Sequence, residues 1–94
     1  MNKTIWKFNL KTTDTQTIEM PAGADVLTVQ VQNGTPCLWA IVDPEESTRK
    51  RTFKIFGTGH QINNYKNVSL LFIGTYQLLD CNEVFHVFEY VEGI

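Results

Sequence analysis

The chain predicts an all-β fold, a small antiparallel sandwich or barrel of about six or seven strands. Three observations predict it. Asn33-Gly34 sits between two alternating, β-branched runs, VLTVQVQ and TPCLWAIV, and that dipeptide readily takes the two positive φ angles of a type I′ hairpin turn. Turn-forming clusters recur at short intervals along the whole chain, the spacing of short antiparallel strands. No stretch carries a sustained apolar period of 3.6 residues, and no segment repeats.

Each element follows from local pattern. Thr4 to Leu10 alternates, with Trp6, Phe8 and Leu10 on one face and Ile5, Lys7 and Asn9 on the other, so it reads as a half-buried strand. KTTDTQ is a turn. A short strand over Thr17 to Met20 is stopped by Pro21-Ala22-Gly23, where proline removes a ladder donor. The Asn33-Gly34 hairpin comes next. A two-residue loop sets Gln32 opposite Thr35, which places Val29 against Leu38 and Leu27 against Ala40 on the core face. Gln30 then lies by Cys37, and Thr28 by Trp39, on the other face. A three-residue loop would shift the register by one and set Trp39 against Val29, so the turn decides whether the indole leaves the core.

Pro44 to Arg51, PEESTRKR, has no apolar anchor and is expected to be a solvated loop. Thr52 to Phe56 returns to strand. Gly57-Thr58-Gly59-His60 breaks it and starts a polar connection through QINNYKN. Val68 to Leu79 is the longest apolar run, and Gly74 at its middle marks a bulge, a bend or the close approach of another backbone. Asp80-Cys81-Asn82-Glu83 turns the chain into a last strand, Val84 to Tyr90, after which the end is expected to fray.

Composition narrows the function. Ninety-four residues, 43% hydrophobic with 12% aromatics, bound one β domain over residues 1–94 with one core. Eight Lys and Arg against ten Asp and Glu leave a net charge of -2, which provides no broad basic surface for duplex DNA or RNA. Cys37 and Cys81 lie in or beside apolar runs and are expected to stay unbridged, as small hydrophobes. No apolar run approaches the roughly 20 residues that cross a bilayer, and MNKTIWKFNL lacks a secretory signal's apolar stretch. The expected setting is cytosol, without a membrane partner.

Few residues suggest chemistry. Gly57-Thr58-Gly59-His60 combines backbone amides, a hydroxyl and an imidazole, a set that could hold phosphate or carboxylate in a backbone nest. A plain turn is the stronger reading on sequence grounds, since glycine's permissive backbone already explains both glycines. The cluster lacks the context of a dinucleotide fingerprint or a P-loop. His60 and His86 stand at no metal-ligand spacing, so no metal and no cofactor are expected. His86, between Phe85 and Val87, reads as structural, whereas His60 reads as the functional candidate. The carboxylates are scattered and no serine lies in a nucleophile elbow, so the expectation is a protein that is not an enzyme. Trp39, on the face of Thr28 and Gln30, could stack a base or be covered by another sheet or subunit. Gln77 could add an amide contact, and Arg51, in the Arg49-Lys50-Arg51 run, could close over an anion. The expected ligand-binding set is therefore Trp39, Arg51, Thr58, Gly59, His60 and Gln77.

The phrases VQVQNGTPCLWAIVDPE, RTFKIFGTGHQI, IGTYQL and VFHVFE, in that order, resemble a small family of uncharacterised proteins encoded by bacteriophages and prophages. The chain departs from that family's pattern after GTYQLL, where DCNE replaces a glycine-rich turn. The resemblance implies a phage accessory protein acting in the host cytoplasm. Two readings follow. One is a homo-oligomeric sponge that sequesters a small, nucleotide-derived immune signal, with Trp39 stacking and Thr58 to His60 holding phosphate. The other is a protein-interaction inhibitor of a host defence protein, or a virion accessory, that meets a protein surface through strand edges and aromatics such as Trp39 and Tyr76.

Overall fold

In the computed structural model, which describes residues 2–63 and 68–93, Asn33 and Gly34 take φ of 51° and 79°. Positive φ at both central positions is the signature of the type I′ turn. It joins β3 (Asp25–Gln32) to β4 (Thr35–Val42) in an antiparallel pair. Five further strands complete the chain: β1 (Thr4–Asn9), β2 (Thr15–Pro21), β5 (Thr48–Gly57), β6 (Val68–Leu78) and β7 (Glu83–Glu92). Among the described residues there is no helix. The strands form two antiparallel sheets, one ordered β1-β4-β3 and the other β2-β5-β7-β6, and neither closes into a barrel. Of the polar connection after His60, residues 64–67 lie outside the described residues, as does the terminal residue 94.

The hairpin keeps the expected register from its tip as far as Thr28. Gln32 faces Thr35, Gln30 faces Cys37, Val29 faces Leu38 and Thr28 faces Trp39. Beyond Thr28 the expectation fails. A bulge between Val26 and Thr28 sets Val26 opposite Ala40, and Leu27, expected against Ala40, is the extra residue and stands 44% exposed. A bulge inserts one unpaired residue, so counting outward from a turn loses its validity there.

Other boundaries move for similar reasons. Thr48 to Arg51, expected as solvated loop, are the first residues of β5 and pair with Pro21 to Ile18 of β2. Backbone pairing is indifferent to charge when side chains point to solvent, and Lys50 sits opposite Glu19 as a favourable cross-strand pair. Strand β7 runs on to Glu92 because β6 pairs with it back to Val68. Cys37 is buried and Cys81 exposed, and both are free thiols; the turn that carries Cys81 lifts it away from the apolar run beside it.

One buried cluster joins the sheets. Leu38, Ala40 and Val42 of β4 belong to it together with Met20 of β2, Phe53 and Ile55 of β5, Tyr76 of β6 and Val87 of β7. Alternation therefore assigns every other residue of these strands to the opposite, outward faces. Gly74 shows how closely the layers approach. The register of β6 on β7 shifts between Phe72 and Gly74, and a Cβ built on Gly74 would stand 2.8 Å from Cγ1 of Val29. The extra residue of that bulge is Ile73, and the close approach falls on the next residue, Gly74, whose missing side chain makes room for β3.

Candidate functional site

The outward face of the four-stranded sheet is built by alternation. Ile55 and Val87 are core residues, so Phe56, His86 and Phe88 project the other way. In register, Phe56 lies opposite His86, Lys54 opposite Phe88, and Phe88 opposite Phe72 of β6. The rings meet edge to face, with 5.8 Å between the centroids of Phe56 and Phe88 and 5.4 Å between those of Phe88 and Phe72. This is a favoured aromatic geometry. Phe72 is 62% exposed. Tyr90 extends the face along β7, with Lys54 Nζ 5.4 Å from its ring centroid.

A polar cluster borders that row. His86 Nε2 is 2.8 Å from the Thr58 hydroxyl and His86 Nδ1 is 3.0 Å from the Thr75 hydroxyl, so a neutral ring donates to one threonine and accepts from the other. The two hydroxyls hold the imidazole upright. Sequence reasoning read His86 as structural in isolation and missed its partners. The period of β7 was the available signal, because it puts His86, Phe88 and Tyr90 on one face; the residues beside them come from β5 and β6, a pairing that local pattern does not carry.

The turn after β5 spends its donors inside the protein. The amide of Thr58 donates to Val84 O at 3.1 Å, that of His60 to Gly57 O at 3.0 Å, and that of Gly57 to His60 Nδ1 at 3.3 Å. Gly59 takes φ of 88°, which glycine accepts without strain. An anion nest requires successive amides aimed outward, and here three of the four are used to close the turn and tie it to β7. His60 itself is exposed and sits between two open hollows. One, of about 430 Å³, is lined by Asp14, Lys54, Phe56, Gln61 and Asn63 as well as His60; the other, of about 420 Å³, adds Thr58, Asn82, Glu83 and Val84.

The remaining expected residues are dispersed. Arg51 turns inward, donating from Nε and Nη2 to the two carboxylate oxygens of Glu89 at 2.6 and 2.9 Å and from Nη1 to Ala24 O at 2.8 Å. The hydrogen bond to Glu89 raises the guanidinium's pKa above its ordinary value, against the opposing effect of burial. The fork formed by Nε and Nη2 is thus occupied by carboxylate, and three of the five guanidinium N–H donors are used inside the protein. Gln77, opposite Val84 on β6, donates to Asn82 Oδ1 at 3.0 Å. Thr58, Gly59, His60 and Gln77 thus gather near one end of the four-stranded sheet.

Trp39 is elsewhere. It lies on the outward face of the three-stranded sheet, between Lys7 of β1 and Thr28 of β3, and is half-buried. Lys7 Nζ reaches across β4 to Gln32 Oε1 at 2.7 Å, passing over the position of Cys37. The structure therefore does not bring the indole together with the Thr58 to His60 turn.

Family membership comes from the chain as a whole. The profile of Domain of unknown function (DUF7352) matches residues 1–93. The chain belongs to this family. No curated protein and no solved structure matches it. The family match spans every strand of both sheets, so the DUF7352 domain here comprises the whole seven-stranded arrangement. Among the described residues of this DUF7352 member, no three His, Cys, Asp or Glu side chains converge as metal ligands, and no helix is long and apolar enough to cross a membrane.

Proposed function

We propose that this chain is a non-catalytic binding domain that docks on a protein through the outward face of its four-stranded sheet. The observation that carries the reading is the outward aromatic row Phe56, Phe88, Phe72, in which Phe72 is 62% exposed and the other two rings are partly buried, flanked by the partly buried Leu70 and Tyr90. Exposed apolar surface marks interaction sites, and aromatic residues are enriched where proteins meet. The partner is a protein whose contact surface is centred on aliphatic or aromatic side chains. The resemblance to phage-encoded proteins supports a host protein met in the host cytoplasm, with this chain as an accessory inhibitor.

A second reading has one observation in its favour. Lys54, His60 and the side-chain amides of Gln61 and Asn63 line a common hollow, a set that suits a small nucleotide-derived anion sequestered without turnover. The occupied amides of the turn and the pairing of Arg51 with Glu89 weigh towards the protein partner.

One experiment separates them. Immobilised protein is exposed to bacterial extract, washed and denatured, and the released material is identified by mass spectrometry. The docking reading expects one host protein to be retained, with retention falling at least tenfold for Phe56→Ser and Phe88→Thr variants whose melting temperatures stay close to wild type, and unaffected by His60→Ala. Release of a nucleotide, lost in His60→Ala and kept in Phe88→Thr, would overturn docking in favour of sequestration.

A further inference from the structure

Strand β5 runs on past its partner on one side. Strand β2 pairs with it from Pro21, opposite Thr48, to Thr15, opposite Lys54, and just beyond that ladder the Ile55 amide donates to Asp14 O at 3.1 Å. Alternate amides of a strand point the same way, so the amide of Gly57 points to the side that β2 has left. Gly57 is buried, and a buried amide needs an acceptor. A side chain supplies it. His60 Nδ1 lies 3.3 Å from the Gly57 amide, and the return bond from His60 N to Gly57 O, at 3.0 Å, closes the turn. The ring lies over Gly57 itself, for a Cβ built there would stand 2.8 Å from Cε1, 3.0 Å from Nδ1 and 3.1 Å from Nε2 of His60. The imidazole stands in for the missing strand.

We infer that His60 is a proton-operated latch on the end of β5, closed when the ring is neutral and open when it is protonated. An Nδ1 that accepts carries no proton, so the closed ring holds its one proton on Nε2. Protonation places a second proton on Nδ1, where it faces the Gly57 N–H donor to donor, and the bond gives way to a repulsive contact. The ring then leaves Gly57, whose amide passes to water. Histidine changes charge between about pH 5 and pH 8, the range over which the latch works. Nothing bars the movement, because His60 is exposed and has an open hollow on either side.

Among the described residues, the charged groups that line those hollows with His60 are Asp14 from the connection between β1 and β2, Lys54 from β5 and Glu83 from the start of β7. Both carboxylates attract a released imidazolium, and Lys54 repels it from the hollow it shares with Asp14. The other histidine, His86, bonds to the hydroxyls of Thr58 and Thr75. Either state of its ring satisfies them, because a hydroxyl accepts as readily as it donates. Opening therefore belongs to His60. It joins the two hollows over Gly57 and leaves the end of β5 with an unpaired amide.

The test is made on the purified protein with no partner present, so its outcome is independent of the docking reading. At about pH 8, the imidazole nitrogen chemical shifts should show His60 as the Nε2–H tautomer. Lowering the pH to about 5 should cut the hydrogen-exchange protection factor of the Gly57 amide about tenfold, in step with protonation of the ring. His60→Asn, whose Oδ1 can accept from the same amide and does not titrate, should keep that protection at both pH values. Gly57→Ala, which displaces the ring without removing it, should leave His60 as a mixture of tautomers at the higher pH. An Nδ1–H tautomer in the wild type, equal Gly57 protection at the two pH values, or the same pH-dependent loss in His60→Asn would each overturn the inference. Should His60→Asn fail to fold, Gly57→Ala still decides, since an unchanged tautomer there would also overturn it.

Discussion

At Gly74 the absence of a side chain holds the two sheets together. A methyl group there would meet Val29 Cγ1 at 2.8 Å, and Val29 is a buried, β-branched core residue with little freedom to move. Gly74→Ala is therefore expected to lower stability by about 1–3 kcal/mol, the usual cost of overpacking. Adding Val29→Ala should cost less than its own effect in the wild type, because it makes room for the new methyl. Urea denaturation of the two single variants and the double variant measures this coupling, and strictly additive losses would contradict the contact. The sequence marks Gly74 as special without naming Val29, because the partner lies on the other sheet. Arg51 and His60 teach the reverse lesson. Both look available for an anion in the sequence, and both are engaged by groups distant in sequence or folded back locally, Glu89 for the guanidinium and the Gly57 amide for the imidazole. Tyr76 is similar: burial raises its phenol pKa, while its hydroxyl stands 2.7 Å from that of Thr12, sixty-four positions away.

At the scale of elements, local chemistry is legible wherever the partners are neighbours in the chain. The β3–β4 hairpin is the clearest case, since the turn dictates which residues face each other as far as Thr28. Gly34 at φ of 79° has open space around it, so Gly34→Ala meets no clash and suffers only the backbone penalty of the left-handed region, about 1 kcal/mol. A thermal melt should show that modest loss with the fold retained, whereas a loss several times larger would mean that the turn also makes packing contacts. Legibility ends at the bulge around Leu27, where an added residue interrupts alternation. It ends again at Thr48 to Arg51, where a charged sequence becomes strand because β2 supplies the hydrogen-bonding partner. The polar cluster of Thr58, Thr75 and His86 was out of reach for the same reason: each residue sits on a different segment.

At the scale of the whole molecule, the last strand in the chain is a central one in space. Strand β7 lies between β5 and β6, it supplies Val87 to the core, and its residues carry the pairing of both neighbours. A chain ending at Leu79 would leave β5 and β6 with no partner between them. Such a truncation is expected to abolish the cooperative unfolding transition, read by near-ultraviolet circular dichroism against temperature; a sharp transition near that of the full chain would show that β1 to β6 form a self-sufficient core. The same topology places the outward aromatic row, since Phe88 of β7 is the ring that both Phe56 and Phe72 touch.

The amino-acid order by itself determined the all-β class and the positions of the main turns, because each depends on residue pairs a few positions apart and on the two-residue period of an extended backbone; the side of β4 to which Trp39 belongs followed once the structure showed the two-residue turn at Asn33-Gly34. Strand order, the hollow beside His60, the internal pairing of Arg51 and the joining of three phenylalanines into one surface were decided only by the tertiary structure. Those features need strands far apart in the chain to lie side by side, and the pairing of distant strands is set by how the core as a whole buries its apolar faces, which no local pattern records.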